Sequence, residues 1–427
     1  MKNSNSSELV KAIGVVGLAA GIFNCTVGGG IFRLPGVIYE TVGPAAPLIY
    51  VICGVATLFI MLTFAMVGQK TLSTGGPYAY VEQQFGPYAG FIAGLLVYTL
   101  GVLSMASVAT ALIDNVKLFW PEVGSSAGKS IFLLSVLTFL TAVNILGVKA
   151  GTQMNIIITI FKLLPLLVLV GIGLVKIEPT HFEIAQPLDW NQISRAAIIL
   201  MFAFTGVESA LVPSGEIKNP QTTVPRALFL GLISVVVLYF AIHMVTQGVL
   251  GVGLLSAQAT PLVAAAEAAM GPWGKVLLLS GACISMFGYL SAMTLSIPRA
   301  LFKMGEEKIL PAYFAKAHSQ FHSPYVAILV NSGLVFILAV TSQFEGLAII
   351  ANLSALTLYI LCAVAAIKLK KKVTLVPIVT CGILGWLLTS ITWSEWLSLI
   401  GVIVFASIFY LWRQKTKANV HLQVSNQ

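Results

Sequence analysis

Long apolar runs dominate this chain, and charged residues hardly interrupt them. Of its 427 residues, 58% are hydrophobic and only 9% are charged, whereas an ordinary soluble domain carries about 25% charged residues. So few charges could not cover a surface that faces water. The composition therefore excludes a soluble enzyme, a secreted disulfide-bonded scaffold and a disordered protein, and it predicts that the chain lies in a lipid bilayer.

Segments of about 20 apolar residues, long enough to cross a bilayer as a helix, occur twelve times. They lie at 11–41, 44–68, 86–118, 129–147, 151–177, 194–216, 226–251, 273–303, 324–342, 345–369, 374–392 and 396–413. With a cytoplasmic N-terminus, seventeen lysines and arginines fall on the inner side and six on the outer side, and Lys162 falls within the membrane. Because cytoplasmic loops are enriched in these residues, we expect a multi-pass protein of the plasma (cell inner) membrane with both termini cytoplasmic.

Several features resemble ligand sites of other protein classes but lack the context of such sites. The segment 124–130 imitates a phosphate loop, yet it has three residues between its glycines instead of four, and no strand precedes it. His318 and His322 have helical spacing but no third ligand nearby, and the five cysteines are scattered through apolar runs. The positive charge is spread between the spans rather than gathered in a basic patch. We therefore expect no metal, no cofactor and no nucleic acid partner.

Two of the predicted spans contain residues that should interrupt a helix. Span one carries three consecutive glycines at 28–30, each costing about 1 kcal/mol relative to alanine, and then Pro35. Span six carries Gly206 beside Glu208, followed by Pro213. Unpaired backbone in lipid is tolerated only where it lines a cavity or is buried in protein. Interrupted helices at matching places in two halves are typical of a transporter built from inverted repeats.

The backbone groups freed by such breaks suit a small zwitterion. Each half-helix before a break ends in free carbonyls, and each half-helix after it begins with free N–H groups. We expect the carboxylate of the ligand to bind the amides of Gly29, Gly30 and Ile31. We expect its ammonium to bind the carbonyls of Thr26, Phe202, Phe204 and Thr205. Glycine, at Gly28 and Gly206 as well, lets a ligand come within hydrogen-bond distance of the backbone.

Four motifs occur in order along the chain, and together they resemble one family. They are GGGIFRLP at 28–35, STGGPYAY at 73–80, FTGVESA at 204–210 and EIKNPQ at 216–221. The set is similar to the amino acid–polyamine–organocation superfamily of transporters, and the resemblance spans the whole chain. It implies an all-α integral membrane protein with twelve transmembrane helices and the five-plus-five inverted-repeat fold of a bacterial leucine transporter. It also implies alternating access around spans one, three, six, eight and ten.

The resemblance also implies how the chain is divided. The first inverted repeat is expected at 11–177 and the second at 194–369, followed by two further helices at 374–413. Residues 1–10 and 414–427 are expected to form cytoplasmic tails.

Site residues are carried over from the resemblance by position. Gly29 stands where the family usually has serine or alanine, which removes a possible hydroxyl contact and leaves slightly more room. Phe202 and Tyr289 fall where the related arginine–agmatine antiporter has aromatic residues, and both are expected to stack on the substrate and close the outward path, unless they are core residues. Met105 replaces an asparagine of that antiporter, which favours an apolar side-chain pocket over a guanidinium site.

Lys162 lies deep in the apolar fifth span, beyond the reach of snorkelling to the surface. A charge at the bilayer centre is costly and normally functional, so the ammonium should face a polar interior. The position resembles a lysine of sodium-independent members of the superfamily, whose ammonium replaces a sodium ion and touches the unwound part of span one. We hypothesise that Lys162 links substrate binding to proton movement. A fixed structural cation is the alternative.

Glu208 is the one carboxylate that the sequence places at mid-depth. It could gate the inner path, relay protons or simply bond to nearby backbone. Together with the breaks and Lys162, it predicts a secondary transporter of small neutral L-amino acids, coupled to protons, and not an enzyme. The alternative is an obligate exchanger of amino acids or amines; a channel would need a filter ring, which the sequence lacks. The oligomeric state is left open by the sequence.

Overall fold

The structure, a computed structural model, is all-helical in the residues that it describes. These are 11–68, 76–184, 187, 189–257, 260–342, 344–369, 375–389 and 391–425. No β-strand occurs in these ranges, where one isolated parallel bridge joins Ile13 to Ile217. The expected N-terminal tail 1–10, residues 73–75 of the second motif and the last two residues of the C-terminal tail lie outside the described residues.

Seventeen α-helices follow one another along the described chain. The first nine are α1 (Val15–Thr26), α2 (Gly30–Val42), α3 (Ala46–Gly68), α4 (Pro77–Phe85), α5 (Pro87–Val116), α6 (Ser126–Ile145), α7 (Val148–Gly173), α8 (Trp190–Phe204) and α9 (Val207–Ala210). The other eight are α10 (Pro220–Leu250), α11 (Pro261–Met270), α12 (Pro272–Ser296), α13 (Pro298–Glu306), α14 (Tyr325–Thr341), α15 (Phe344–Leu369), α16 (Leu375–Leu388) and α17 (Trp393–Ser425). Six of them begin with proline, whose missing N–H would be unpaired at a helix start in any case.

The observed helices match the number and the positions of the predicted spans only in part. Nine stretches of the described chain are long and apolar enough to cross a membrane. Predicted spans one, nine and eleven contain shorter apolar helices, α1, α14 and α16. The all-helical membrane class is therefore confirmed, whereas the count of twelve spans, the inverted repeats and the domain boundaries stay predictions.

Both helices that were expected to break are interrupted at the expected residues. α1 ends at Thr26 and α2 begins at Gly30, while α8 ends at Phe204 and α9 begins at Val207. Pro35 lies inside α2 and does not end it. The glycines therefore mark the interruption of span one, and the proline does not.

The interrupted helices lie inside the bundle, and exposed apolar side chains lie on its outside. α1 contacts α7, α10 and α12, and α2 packs against α8. On peripheral helices, Ile131 of α6 is 67% exposed and Phe405 of α17 is 76% exposed. Such large apolar surfaces are unfavourable in water and natural in lipid. The chain is a multi-pass membrane protein with its two breaks in the protein core.

Candidate functional site

The break between α1 and α2 leaves three neighbouring amides without a partner in the described chain. The N–H of Gly28 donates to the carbonyl of Thr26 at 2.9 Å, whereas those of Gly29, Gly30 and Ile31 donate to no described group. These amides stand at the N-terminus of the 13-residue helix α2, where the helix dipole places partial positive charge. The break therefore offers donors and a favourable field to an anionic group.

The three glycines of this break differ in the space around them. A Cβ on Gly28 would lie 2.8 Å from the ring of Tyr289. On Gly29 it would meet only Met286 and Ala111, at the ordinary distances of 3.6 and 3.7 Å. The structure thus places Tyr289 directly against the break and leaves room at Gly29.

The second break touches the first, backbone to backbone. Gly206 has a φ of +114°, which side-chain-bearing residues rarely adopt. A Cβ there would lie 2.1 Å from the carbonyl oxygen of Cys25, at the end of α1. Glycine is needed at Gly206 for both reasons, and this close contact holds the two interruptions together.

Tyr239 of α10 connects both breaks by hydrogen bonds. Its hydroxyl lies 3.1 Å from the carbonyl oxygens of Thr26 and of Ala203. The ring of Phe204 packs edge-on against Tyr239, with centroids 5.2 Å apart. Phe204 is thus a core aromatic, and its backbone carbonyl, like that of Thr205, accepts no hydrogen bond from the described residues.

Lys162 of α7 is fully buried, and its ammonium lies at the end of the first half-helix. Its Nζ donates to the carbonyl of Val27 at 2.5 Å and to Oδ1 of Asn24 at 3.0 Å. Ser285 of α12 donates to the same carbonyl at 3.1 Å. None of the ion pairs between described side chains includes Lys162. A buried cation is therefore held at the break by neutral acceptors alone.

Glu208 binds the second break and a neighbouring helix. Its Oε1 accepts the N–H of Gly206 at 2.8 Å, and its Oε2 accepts the hydroxyl of Tyr359 of α15 at 2.5 Å. The carboxylate is fully buried. It therefore ties the start of α9 to α15 through two short hydrogen bonds.

A cavity of about 330 Å³ lies between α2, α8, α15 and the start of α17. Gly30 and Phe202 line it, together with apolar residues that include Leu34, Ile198 and Leu353. Three charged residues also line it, namely Arg33, Arg195 and Glu395. The cavity thus combines one amide-bearing residue of the first break with an aromatic residue of the second.

Other residues predicted for the site lie outside the lining of this cavity. Met105 of α5 is buried, with its sulfur 3.6 Å from the side-chain nitrogen of Asn331. Ile31 is fully buried. The Thr205 hydroxyl donates to the carbonyl of Phe202 at 2.8 Å, inside the second break. The two breaks therefore bring the predicted backbone groups together, whereas Met105 stands apart from the lining.

The segment before α1 is bonded to the segment after α9. The amides of Ala12 and Ile13 donate to the carbonyl of Glu216, and that of Lys218 donates to Ile13. Behind this bridge Arg299 of α13 forms a buried ion pair with Glu216, with Nε 3.3 Å from Oε1. The segments before α1 and after α9 are thus fixed to each other and to α13.

The match to known sequences decides the family. The amino acid permease family matches residues 13–424. The chain belongs to this family. The resemblance drawn from the four motifs is thereby confirmed.

Bacterial relatives of this permease are transporters, most of them of amino acids, and one of them is a methylthioribose transporter of Bacillus subtilis (strain 168), 25% identical over 441 residues, or 96% of this chain and 95% of the relative. A serine/threonine exchanger of Bacillus subtilis (strain 168) is 27% identical over 379 residues, or 87% of this chain and 86% of the relative. A branched-chain amino acid permease of the same organism is 24% identical over 451 residues, or 97% and 96%. An arginine/ornithine antiporter of Latilactobacillus sakei is 28% identical over 351 residues, or 78% and 73%. The family and these relatives are transporters and not enzymes.

Sequence reasoning missed several polar partners of the permease site. Tyr239 and Tyr359 stand in apolar runs with no pattern that sets them apart. One signal is readable, because Asn155, Thr159 and Lys162 are spaced by four and three residues and so share one face of α7. A polar stripe on an apolar membrane helix indicates a face turned toward polar protein.

Proposed function

We propose that this permease is a secondary transporter of small neutral L-amino acids that couples uptake to protons, with Lys162 in place of a sodium ion. It would work by alternating access in the plasma membrane, with both termini cytoplasmic. The observation that carries the proposal is the ammonium of Lys162 on the carbonyl of Val27, inside the break of span one. A charge at that place interacts electrostatically with any charged ligand that binds the break.

The free backbone groups support a zwitterionic substrate. The amides of Gly29, Gly30 and Ile31 stand ready for a carboxylate, and the carbonyls of Phe204 and Thr205 stand ready for an ammonium. Of the groups predicted for the ammonium, the carbonyls of Thr26 and Phe202 already accept bonds. We therefore place the substrate ammonium toward the second break.

The cavity supports a small and uncharged side chain. Its walls are largely aliphatic, with Phe202 at the level of Gly30. Burying a charged side chain against the aliphatic part of these walls would be unfavourable, and the lining charges of both signs, Arg33, Arg195 and Glu395, select for neither a cationic nor an anionic side chain. Phe202 is placed to close over a bound substrate, and Tyr289 is placed to pack against the break at Gly28.

The burial of Lys162 among neutral acceptors supports proton coupling. Desolvation makes a buried ammonium unfavourable, and here only neutral acceptors offset that cost. Release of its proton would weaken the hydrogen bond to the carbonyl of Val27, which Ser285 also holds, and would remove the positive charge next to the bound carboxylate. Substrate binding and proton binding would then be linked, because each alters the field that the other experiences. Glu208, bonded to Gly206 and Tyr359, is the candidate for the inner gate or a proton relay.

An obligate exchanger is the second candidate, with Lys162 as a fixed cation. The names of two relatives, a serine/threonine exchanger and an arginine/ornithine antiporter, favour it. Neutral acceptors around the ammonium are compatible with both candidates. A channel is disfavoured, because the sequence offers neither a filter ring nor a regular stripe of charges.

Transport in liposomes loaded with a pH-sensitive dye tests the proposal. The probe is the amino acid that raises the Tm of the purified permease most in a screen of all twenty. In the wild type, uptake of this probe should acidify the lumen without any amino acid inside. Lys162→Ala should abolish acidification, and Lys162→Arg, which cannot release its proton, should retain exchange at most. Lys149→Ala, an exposed lysine on the same helix, is the matched control and should behave as wild type.

Two outcomes would contradict proton coupling through Lys162. Undiminished proton-coupled uptake by Lys162→Ala would show that this lysine is not the coupling group. Uptake by the wild type that requires an amino acid inside and leaves the dye unchanged would identify the permease as an exchanger.

A further inference from the structure

Asn24 of α1 is the one side chain that accepts a hydrogen bond from Lys162 in the described chain. Its Oδ1 lies 3.0 Å from Nζ, and both residues are fully buried. Asn24 stands two residues before the end of α1, so it belongs to the helical part, whereas Val27, the other acceptor, belongs to the break. The ammonium is therefore shared between a fixed helix and the interrupted segment.

The orientation of the Asn24 amide is set by α7. Its Nδ2 donates to the carbonyl of Asn155 at 2.8 Å and to the hydroxyl of Thr159 at 2.7 Å. An amide nitrogen has two hydrogens, and both are used. The oxygen of Asn24 must therefore point at Lys162, and rotating the amide would break two bonds and place N–H groups against the ammonium.

Helix α12 completes the support of this amide. Ser291 donates to the side-chain oxygen of Asn155 at 2.9 Å. A Cβ on Gly288 would lie 2.9 Å from Oδ1 of Asn24 and 2.5 Å from a methyl carbon of Ile158. The absence of a side chain at Gly288 thus leaves the space in which Oδ1 meets the ammonium.

The groups around the ammonium are almost all uncharged. From α1 come Asn24 and the Cys25 thiol, the one titratable group that interacts with Lys162 in the described chain, and from the break comes the carbonyl of Val27. From α12 comes the hydroxyl of Ser285, which reaches Lys162 through the carbonyl of Val27. The ring of Phe23 lies 5.4 Å from Nζ. Asn24 is therefore a neutral dipole where a carboxylate would have formed an ion pair.

We propose that Asn24 is a positioning residue that holds Lys162 at the break with a dipole, keeping the ammonium in place while still letting it release its proton. The inference rests on the proposed function, because it assigns the control of the lysine charge within that mechanism. A carboxylate at residue 24 would lock the ammonium in place by direct attraction. An apolar residue there would leave the ammonium with the carbonyl of Val27 alone.

Opposite substitutions at Asn24 test the proposal by the pH dependence of transport. In Asn24→Asp, the pH at which uptake is half-maximal should rise by about one unit or more, as expected for an opposite charge within hydrogen-bond distance. In Asn24→Ala it should fall. Asn191→Asp, the same chemical change at an exposed residue of α8, is the control and should leave the midpoint unchanged.

A second measurement reads the lysine without relying on transport. The Tm of each purified variant is followed against pH, with and without the additional change Lys162→Met. The difference between the two curves isolates the ionisation of Lys162, and it should move in opposite directions for Asn24→Asp and Asn24→Ala. Equal shifts, or none, would overturn the role of Asn24.

The two arms separate the inference from the proposed function. If the wild type moves no protons with its substrate, the function fails, yet opposite shifts of the Tm difference still support Asn24 as the positioning residue. If the wild type is proton-coupled, but substitutions at Asn24 change neither the pH midpoint of uptake nor the Tm difference, the inference fails and the function stands.

Discussion

At the scale of single residues, the glycines of the two breaks differ in how much space surrounds them. The sequence predicts that glycines 28–30 and Gly206 all bring a ligand close to the backbone. The structure leaves ordinary space at Gly29 and none at Gly206, where the carbonyl of Cys25 fills the place of a side chain. A run of glycines predicts an interruption, but which glycine is sterically required depends on the neighbouring helix, which no local pattern reveals.

Gly206→Ala should therefore abolish transport and lower the stability of the permease. The positive φ alone costs roughly 1–3 kcal/mol for a residue with a side chain, and the contact with Cys25 adds to it. Gly21→Ala, a helical glycine of α1 with no neighbouring atom within 4 Å, is the matched control and should keep or raise the Tm. Thermal unfolding and uptake of both variants check this, and a Gly206→Ala variant with wild-type behaviour would contradict it.

At the scale of elements, the segments that flank the two interrupted helices are joined to each other and to α13. The bridge between Ile13 and Ile217 links the segment before α1 to the segment after α9. Arg299 and Glu216 are 0% and 1% exposed, and their ion pair anchors this bridge. The motif at 216–221 contains Glu216 but gives no hint of its partner, because Arg299 lies 83 residues further along the chain.

Breaking this ion pair should be more harmful than removing it. Arg299→Leu leaves a buried carboxylate unpaired, which should cost about 3–5 kcal/mol. The double variant Glu216→Leu/Arg299→Leu removes both charges and should unfold at a higher temperature than either single variant. Tm values of the four proteins form a double-mutant cycle, and additive losses would show that the two side chains do not stabilise each other.

At the scale of the whole molecule, we expect the access to the breaks to be one-sided. The cavity reaches Gly30 and Phe202, whereas the buried residues Ile13 and Glu216 lie where the segments before α1 and after α9 are joined. A transporter must present its site to the two sides in turn, and this arrangement is suited to one of those states.

Labelling with a membrane-impermeant thiol reagent should detect this asymmetry. In a background with the five native cysteines replaced, Ile199→Cys, in the cavity wall, should react quickly, and L-alanine as a probe substrate should slow it. Ile217→Cys, at a fully buried residue bridged to Ile13, should react far more slowly. Equal rates at the two positions would contradict one-sided access.

The sequence by itself determined the membrane class, the two interruptions and the presence of Lys162 and Glu208 between apolar residues. These are local properties: apolar length decides insertion, and glycine decides where a helix is weak. The family followed from four short motifs for the same reason.

Only the tertiary structure decided what those residues meet. The partners of Lys162 lie 135 and 138 residues away, and Tyr239, Tyr359 and Arg299 reach the site from other helices. Most of these helices are apolar on every side, so their periodicity does not state which face turns inward. The rotation of each helix, and with it every contact of the site, is set by packing between segments distant in the chain.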